Sequence, residues 1–195
     1  MIYRIIRAFF RFLLIILGRW RIVGKENVPL IGPLIVVCNH VSYWDPIIVG
    51  CALNRKVHFM AKTELFSYPL LGKIIRSLGA FPIKRGESDR NALRTAINLL
   101  KENQVIGVFP EGTRSKTGTL LPFKSGIHMI AYKARCPVLP VAVINSRKVL
   151  LGWFFPIEVR IGKPIDMPLM DKRPNGKLLE ELTDQSRKAV LSLLG

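Results

Sequence analysis

A chain of 195 residues that is 49% hydrophobic, with a formal net charge of +17, is long enough to bury one sizeable core. Apolar content at that level excludes a disordered basic tail, which combines high charge with low hydrophobicity. Charge alone would suit nucleic acid, but no basic reader motif with interleaved aromatics is present, so no nucleic-acid partner is expected; charge and apolar surface together suit an anionic membrane. Cys38, Cys51 and Cys136 are an odd number at wide spacings, neither a zinc set nor a redox pair, and read as small buried hydrophobes.

In chain order the first element is a helix within residues 1–23. Arg4, Arg7 and Arg11 recur at i, i+3 and i+7 as one polar stripe, and isoleucine, leucine and phenylalanine cover the rest. The longest uncharged run, Phe12 to Gly18, is far short of the ~18 residues that a spanning helix needs. Arg19, Trp20 and Arg21 follow it where a signal peptide would have small residues. Residues 1–23 therefore read as a basic amphipathic membrane-anchoring helix whose arginines add attraction to an anionic leaflet. A helix packed on the protein's own core is the competing reading.

From residue 24 onward strand and helix patterns alternate. Short apolar runs at 34–39, 57–61, 105–109, 138–144 and 157–161 read as strands. Helices are expected over 88–103, capped by Ser88 or Asp89, over 125–134 and over 178–194. The alternation predicts one α/β domain, residues 24–195, with a mixed sheet flanked by helices.

Three loops carry candidate chemistry. Asn39-His40-Val41-Ser42-Tyr43-Trp44-Asp45-Pro46 follows the first strand pattern, at the end of a strand where open α/β sheets bind ligands. Asp45-Pro46 reads as a helix start, with Asp45 as N-cap and proline in the first turn. His40 and Asp45 are five apart, so a turn is needed to bring them together. A carboxylate on one imidazole nitrogen fixes the tautomer and raises the basicity of the other, which can then take a proton from an alcohol. A plain cap beside a turn histidine is the alternative. Gly79 to Arg85 offers the fork of Arg85. Phe109 to Ser115 offers the hydroxyls of Thr113 and Ser115, a close backbone approach at Gly112, and the phosphate-matching fork of Arg114. Gly-x-Gly-x-x-Gly, P-loop and Gly-x-Ser-x-Gly motifs are absent, and His40, His58 and His128 lack metal-ligand spacing, so no metal is expected.

In this order and spacing the blocks resemble the 1-acyl-sn-glycerol-3-phosphate acyltransferase family, within the glycerolipid acyltransferase superfamily. The family's His-x-x-x-x-Asp block is His40 to Asp45, and its Gly-x-(aromatic)-x-x-x-Arg block is Gly79 to Arg85. Phe-Pro-Glu-Gly-Thr-Arg matches Phe109 to Arg114 letter for letter. The proline-bearing strand is Val138-Leu139-Pro140-Val141-Ala142-Val143, and Pro122 to Gly126 looks like the usual follow-on to the third block. The resemblance runs from about Gly24 to about Pro164.

It implies transfer of a fatty acyl group from acyl-CoA or acyl-carrier-protein to the sn-2 hydroxyl of lysophosphatidic acid, giving phosphatidic acid in phospholipid biosynthesis. No cofactor beyond the donor is implied. His40 would be general base and Asp45 its orienting partner, with Arg85, Glu111, Gly112, Thr113, Arg114 and Lys124 binding the acceptor. Glu111 would either hold Arg114 or accept a glycerol hydroxyl. The expected location is the cytoplasmic face of the cell membrane, with membrane lipid as partner. Other acceptors remain open: glycerol 3-phosphate, another lysophospholipid or an amino lipid. A non-catalytic, basic lipid-binding protein is the remaining alternative.

Overall fold

Leu34–Cys38 (β2) is buried along its whole length, the signature of a strand covered on both faces. The computed structural model, which describes residues 2–84, 89–151, 154–168 and 174–195, places it at the centre of a seven-stranded sheet. The strands are β1 Arg21–Val23, β2, β3 Val57–Lys62, β4 Phe81–Ile83, β5 Val105–Val108, β6 Val138–Ile144 and β7 Glu158–Ile161. Their order is β1-β7-β6-β2-β5-β3-β4. The pairs from β6 through β4 are parallel, β6 and β7 pair antiparallel, and β1 runs parallel to β7. The sheet is mixed, as the alternating pattern predicts.

Period-2 alternation divides the core. Leu34, Val36 and Cys38 of β2 join a cluster with Leu139, Val141 and Val143 of β6, Leu14 of helix α1 (Ile2–Gly18) and Ile48, Val49 and Ala52 of α2 (Asp45–Ala52). Ile35 and Val37 point the other way, to Ala96 and Leu100 of α4 (Arg90–Lys101), Ile127 and Ile130 of α5 (Gly126–Ala134) and Leu182 and Val190 of α6 (Gly176–Leu194). A further helix, α3 (Pro69–Ser77), lies between β3 and β4 in sequence. Asp89 caps α4, accepting from the amides of Asn91 at 3.0 Å and Ala92 at 2.9 Å. Ser88, the other candidate cap, lies outside the described residues. Cys38, Cys51 and Cys136 are free and buried.

The first helix corrects the expectation for its arginines. Arg7 donates to the carbonyl of Leu53 and, at 3.5 Å, to that of Cys51, so it satisfies chain ends left open where α2 stops. The Arg11 guanidinium sits 5.8 Å from the Trp20 ring centroid. Two of the three stripe residues thus serve the fold, while Ile2, Ile5, Phe9, Phe12 and Ile15 are each more than half exposed. Helix geometry accounts for this, since the arginine stripe shares its side of α1 with the buried Leu14 and Gly18. The division expected at residue 23 is also crossed, because Arg21–Val23 forms the edge strand beside β7.

Arg7→Glu would aim a carboxylate at two carbonyls. Losing charge-assisted bonds costs about 1.5–3 kcal/mol, or roughly 5 °C of Tm in a domain of this size. Serine at Ile5, Phe9 and Phe12 together should shift Tm by no more than about 2 °C, since exposed sites move stability little. Thermal melts of the two variants in aqueous buffer compare them; equal destabilisation would mean that the apolar face is covered in the folded protein.

His128 on α5 is fully buried, its Nε2 2.8 Å from Ser186 Oγ and its Nδ1 3.0 Å from Thr183 Oγ1 of α6. Burial pushes its pKa down from 6.5 to about 4. The unfolded chain therefore takes up the proton first, and stability that is complete above pH 6.5 drains away as pH falls toward 4. The loss reaches roughly 3 kcal/mol below that window. His128→Gln, though less stable at neutral pH, should show a flatter Tm between pH 7 and pH 4. An unchanged acid slope in a melt series would rule this histidine out as the cause.

Candidate active site

The site is built where β2 leaves the sheet. Asn39 continues the ladder with its side chain: Nδ2 donates to the Val143 carbonyl at 2.9 Å, and Oδ1 accepts from the Val143 amide at 2.8 Å. His40 follows, 7% exposed, with its amide donating to Glu111 Oε1 at 2.6 Å and its carbonyl accepting from the Ser115 amide at 2.8 Å. Its ring stacks on Phe109 with centroids 4.1 Å apart. Main chain and ring are both fixed before any substrate arrives.

The turn after His40 brings Asp45 back to it, with Nδ1 2.9 Å from Asp45 Oδ2. The same oxygen accepts from the amides of Val41 and Ser42, each at 2.7 Å. Asp45 is therefore not the N-cap expected from the sequence. Trp44 occupies that position, Asp45 opens α2, and its carboxylate folds back over the turn instead of forward onto the helix amides. Proline in the first turn is as expected. A carboxylate in this hydrogen-bonded state only accepts, so Nδ1 carries the hydrogen and Nε2 keeps its lone pair, an assignment made from the hydrogen bonding.

Glu111 meets backbone amides and does not pair with Arg114. It is 5% exposed, and its oxygens accept from the His40 amide and, at 2.9 Å, from the Leu121 amide. Burial pushes its carboxyl pKa up, and these two amides oppose the rise. Glu111 is a brace between loops, with one amide on each oxygen. Arg114 instead lies with its guanidinium carbon 3.5 Å from the Tyr43 ring centroid and donates to Tyr43 Oη at 2.8 Å. Gly112 adopts φ +73°, and a Cβ there would meet Lys124 Cε at 3.0 Å. The left-handed conformation favours glycine, whereas the exposed Lys124 side chain can shift by a few tenths of an ångström. Thr113 and Lys124 are exposed, and the Lys124 amide is anchored on the Pro110 carbonyl at 2.9 Å. Arg85 lies outside the described residues.

The structure thus gathers His40, Asp45, Glu111, Gly112, Arg114 and Lys124 around the ends of β2 and β5. It adds residues that the motif reading did not assign: Asn39, Tyr43, Phe109 and Arg147. Asn39, Tyr43 and Phe109 lie within the loops singled out from the sequence, and Asn39 and Phe109 were findable as strand-end residues. Arg147 gave no signal, because it binds only backbone carbonyls, which any sequence supplies. Chemically, the arrangement offers a buried imidazole with one basic nitrogen, a carboxylate to hold the resulting imidazolium, and an exposed cation beside it.

Residues 19–144 match the family described as Acyltransferase, and the chain belongs to that family. It is 32% identical to the 1-acyl-sn-glycerol-3-phosphate acyltransferase of Bacillus subtilis (strain 168), over 90% of this chain and 88% of that protein. The enzyme of the same name from Saccharomyces cerevisiae is 31% identical over 92% of this chain, which spans 62% of that longer protein. A crystal structure of the 1-acyl-sn-glycerophosphate acyltransferase PlsC from Thermotoga maritima superposes with a TM-score of 0.74 at 29% identity, covering 97% of this chain and 77% of that one.

Glu111→Ala would strand two amide donors, at about 1–3 kcal/mol each. The expected result is a fall in Tm accompanied by a fall in kcat, with acceptor KM little changed. Parallel melts and initial-rate kinetics test it. A rise in acceptor KM at unchanged Tm and kcat would mean that Glu111 contacts the acceptor after all.

Proposed function

We propose that this acyltransferase moves a fatty acyl group from acyl-CoA or acyl-carrier-protein to the sn-2 hydroxyl of 1-acyl-sn-glycerol 3-phosphate, giving phosphatidic acid. The buried His40–Asp45 pair carries the reading. A thioester is already activated, so no covalent enzyme intermediate is called for. His40 Nε2 takes the acceptor's hydroxyl proton as the oxygen attacks the thioester carbonyl. Asp45 stabilises the imidazolium that forms. Collapse of the tetrahedral oxyanion expels the thiolate, which takes the proton back from His40 and leaves as the free thiol. Atoms and charge balance without a cofactor or a metal.

The acceptor phosphate fits the exposed Arg114, assisted by Lys124 and by Arg85. Relatives named 1-acyl-sn-glycerol-3-phosphate acyltransferase favour this acceptor over glycerol 3-phosphate or an amino lipid. No helix among the described residues is long and apolar enough to cross a membrane. The exposed apolar face of α1 instead suits shallow docking on the bilayer that holds the acceptor, with the cytoplasmic face as the expected side. Of the basic stripe, only Arg4 is exposed enough to add charge attraction.

Purified protein incubated with a panel of acceptors and both donor types, with products read by mass spectrometry, tests the assignment. Phosphatidic acid formed from lysophosphatidic acid in preference to the other acceptors supports it, and preference for another acceptor replaces it. His40→Ala should fold and lose roughly 10²–10⁴ in turnover, the usual worth of a positioned base. Arg114→Ala should raise acceptor KM about tenfold to a hundredfold while donor KM stays near its original value. Near-normal turnover in the His40 variant would sink the mechanism.

A further inference from the structure

We propose that Arg147 is a positioning residue for acyl transfer, pinning the two peptide segments that hold the catalytic pair in register. This rests on the acyltransferase reading above. Arg147 lies in the 3₁₀ turn Ser146–Leu151, directly after β6. All three of its guanidinium nitrogens are used. Nε donates to the Val41 carbonyl at 2.9 Å, Nη1 to the Lys116 carbonyl at 2.9 Å, and Nη2 to the Ser115 carbonyl. It pairs with no carboxylate among the described residues.

The target carbonyls explain the consequence. The peptide linking Val41 to Ser42 carries Arg147 on its carbonyl and donates its N–H to Asp45 Oδ2 at 2.7 Å. The preceding peptide is held in the same manner. Its carbonyl, that of His40, accepts from Ser115, and its N–H, that of Val41, reaches the same Asp45 oxygen at 2.7 Å. Each peptide is thus gripped at both ends, and a carbonyl bonded to a donor makes its own N–H a stronger donor. Ser115, which holds one of these peptides, is held in turn by Arg147 through its carbonyl. Freed from Arg147, the Val41–Ser42 peptide can rotate and withdraw an N–H from Asp45. The 115–116 segment loses its tie to the catalytic turn at the same moment. A planar fork reaches three carbonyls on two loops; an ammonium on a flexible stem cannot span them with the same geometry.

The test compares wild type, Arg147→Ala and Arg147→Lys in the acyl-transfer assay, with melts and with methylguanidinium added at millimolar concentration. Misplacement of reacting groups by a fraction of an ångström to about 1 Å costs up to about a hundredfold in rate. Arg147→Ala should therefore lose about tenfold to a hundredfold in kcat, with acceptor and donor KM within about threefold of wild type. Arg147→Lys should fall between, and methylguanidinium should restore several-fold of the alanine variant's kcat without affecting wild type. Three results would overturn the proposal. One is an acceptor KM that rises at constant kcat, which would make Arg147 a phosphate ligand. The second is a lowered Tm with normal kcat in folded protein, which would make it a purely structural tie. The third is a kcat defect that neither lysine nor methylguanidinium relieves. An inactive wild type would instead fail the acyltransferase reading itself.

Discussion

The structure depends most on how the Asp45 carboxylate is accommodated. It has no solvent exposure, and a charge taken out of water costs several kcal/mol unless donors replace the water. Here three donors converge on Oδ2: the amides of Val41 and Ser42 and the His40 ring. Oδ1 is buried with no protein partner among the described residues. The three donors replace the water that Oδ2 gives up, and the carboxylate faces the His40 ring. In the proposed mechanism that charge stabilises the imidazolium that His40 becomes during acyl transfer. Stabilisation that grows toward the transition state is the useful kind.

Meeting that demand explains the neighbourhood. The Val41 and Ser42 amides face inward only if their peptide carbonyls face outward, and outward-facing carbonyls need donors of their own. Ser115 and Arg147 supply them. Glu111 closes the arrangement from the third side, taking the His40 amide and tying it to the Leu121 amide. Glu111, read in sequence as a substrate-binding residue, thus holds the main chain of the histidine. The sheet fixes the remaining freedom, because Asn39 pairs with Val143 one residue before His40 and the chain enters the turn at a defined point on β6.

Much of this was legible in the sequence, and the failures have identifiable causes. The buried strands were readable because a strand covered on both faces must be continuously apolar, as Leu34–Cys38 is. β1 and β4 were not, since three residues carry no period. The His40–Asp45 contact could be inferred from spacing together with a turn, but the direction of the carboxylate could not. An N-cap and a back-folded carboxylate need the same residue at nearly the same place. The arginines of α1 misled for a related reason. A polar stripe on a helix normally marks the wet side, yet Arg7 faces the end of α2, where free carbonyls make a buried polar surface for it. Periodicity shows that a helix has two faces; what each face meets depends on the neighbouring element.

The pairing of Arg114 with Tyr43 shows how the site keeps its positive charge available. A phosphate-binding arginine must be held still, because ordering a long side chain upon binding costs affinity. A carboxylate would hold it, but at the price of neutralising the charge that the phosphate is to meet. Tyr43 offers another solution: its ring lies against the guanidinium plane and its hydroxyl accepts one N–H, while no negative charge is brought near. The remaining N–H groups stay available for a bidentate contact. With Glu111 committed to backbone amides, Asp45 to the histidine turn, and Lys124 beside Gly112, the mouth of the site stays cationic. The net charge of +17 extends that preference to the whole molecule. On the proposed reading, a dianionic headgroup in an anionic bilayer would be drawn first to the surface by the field and then to the histidine by a fork already in position.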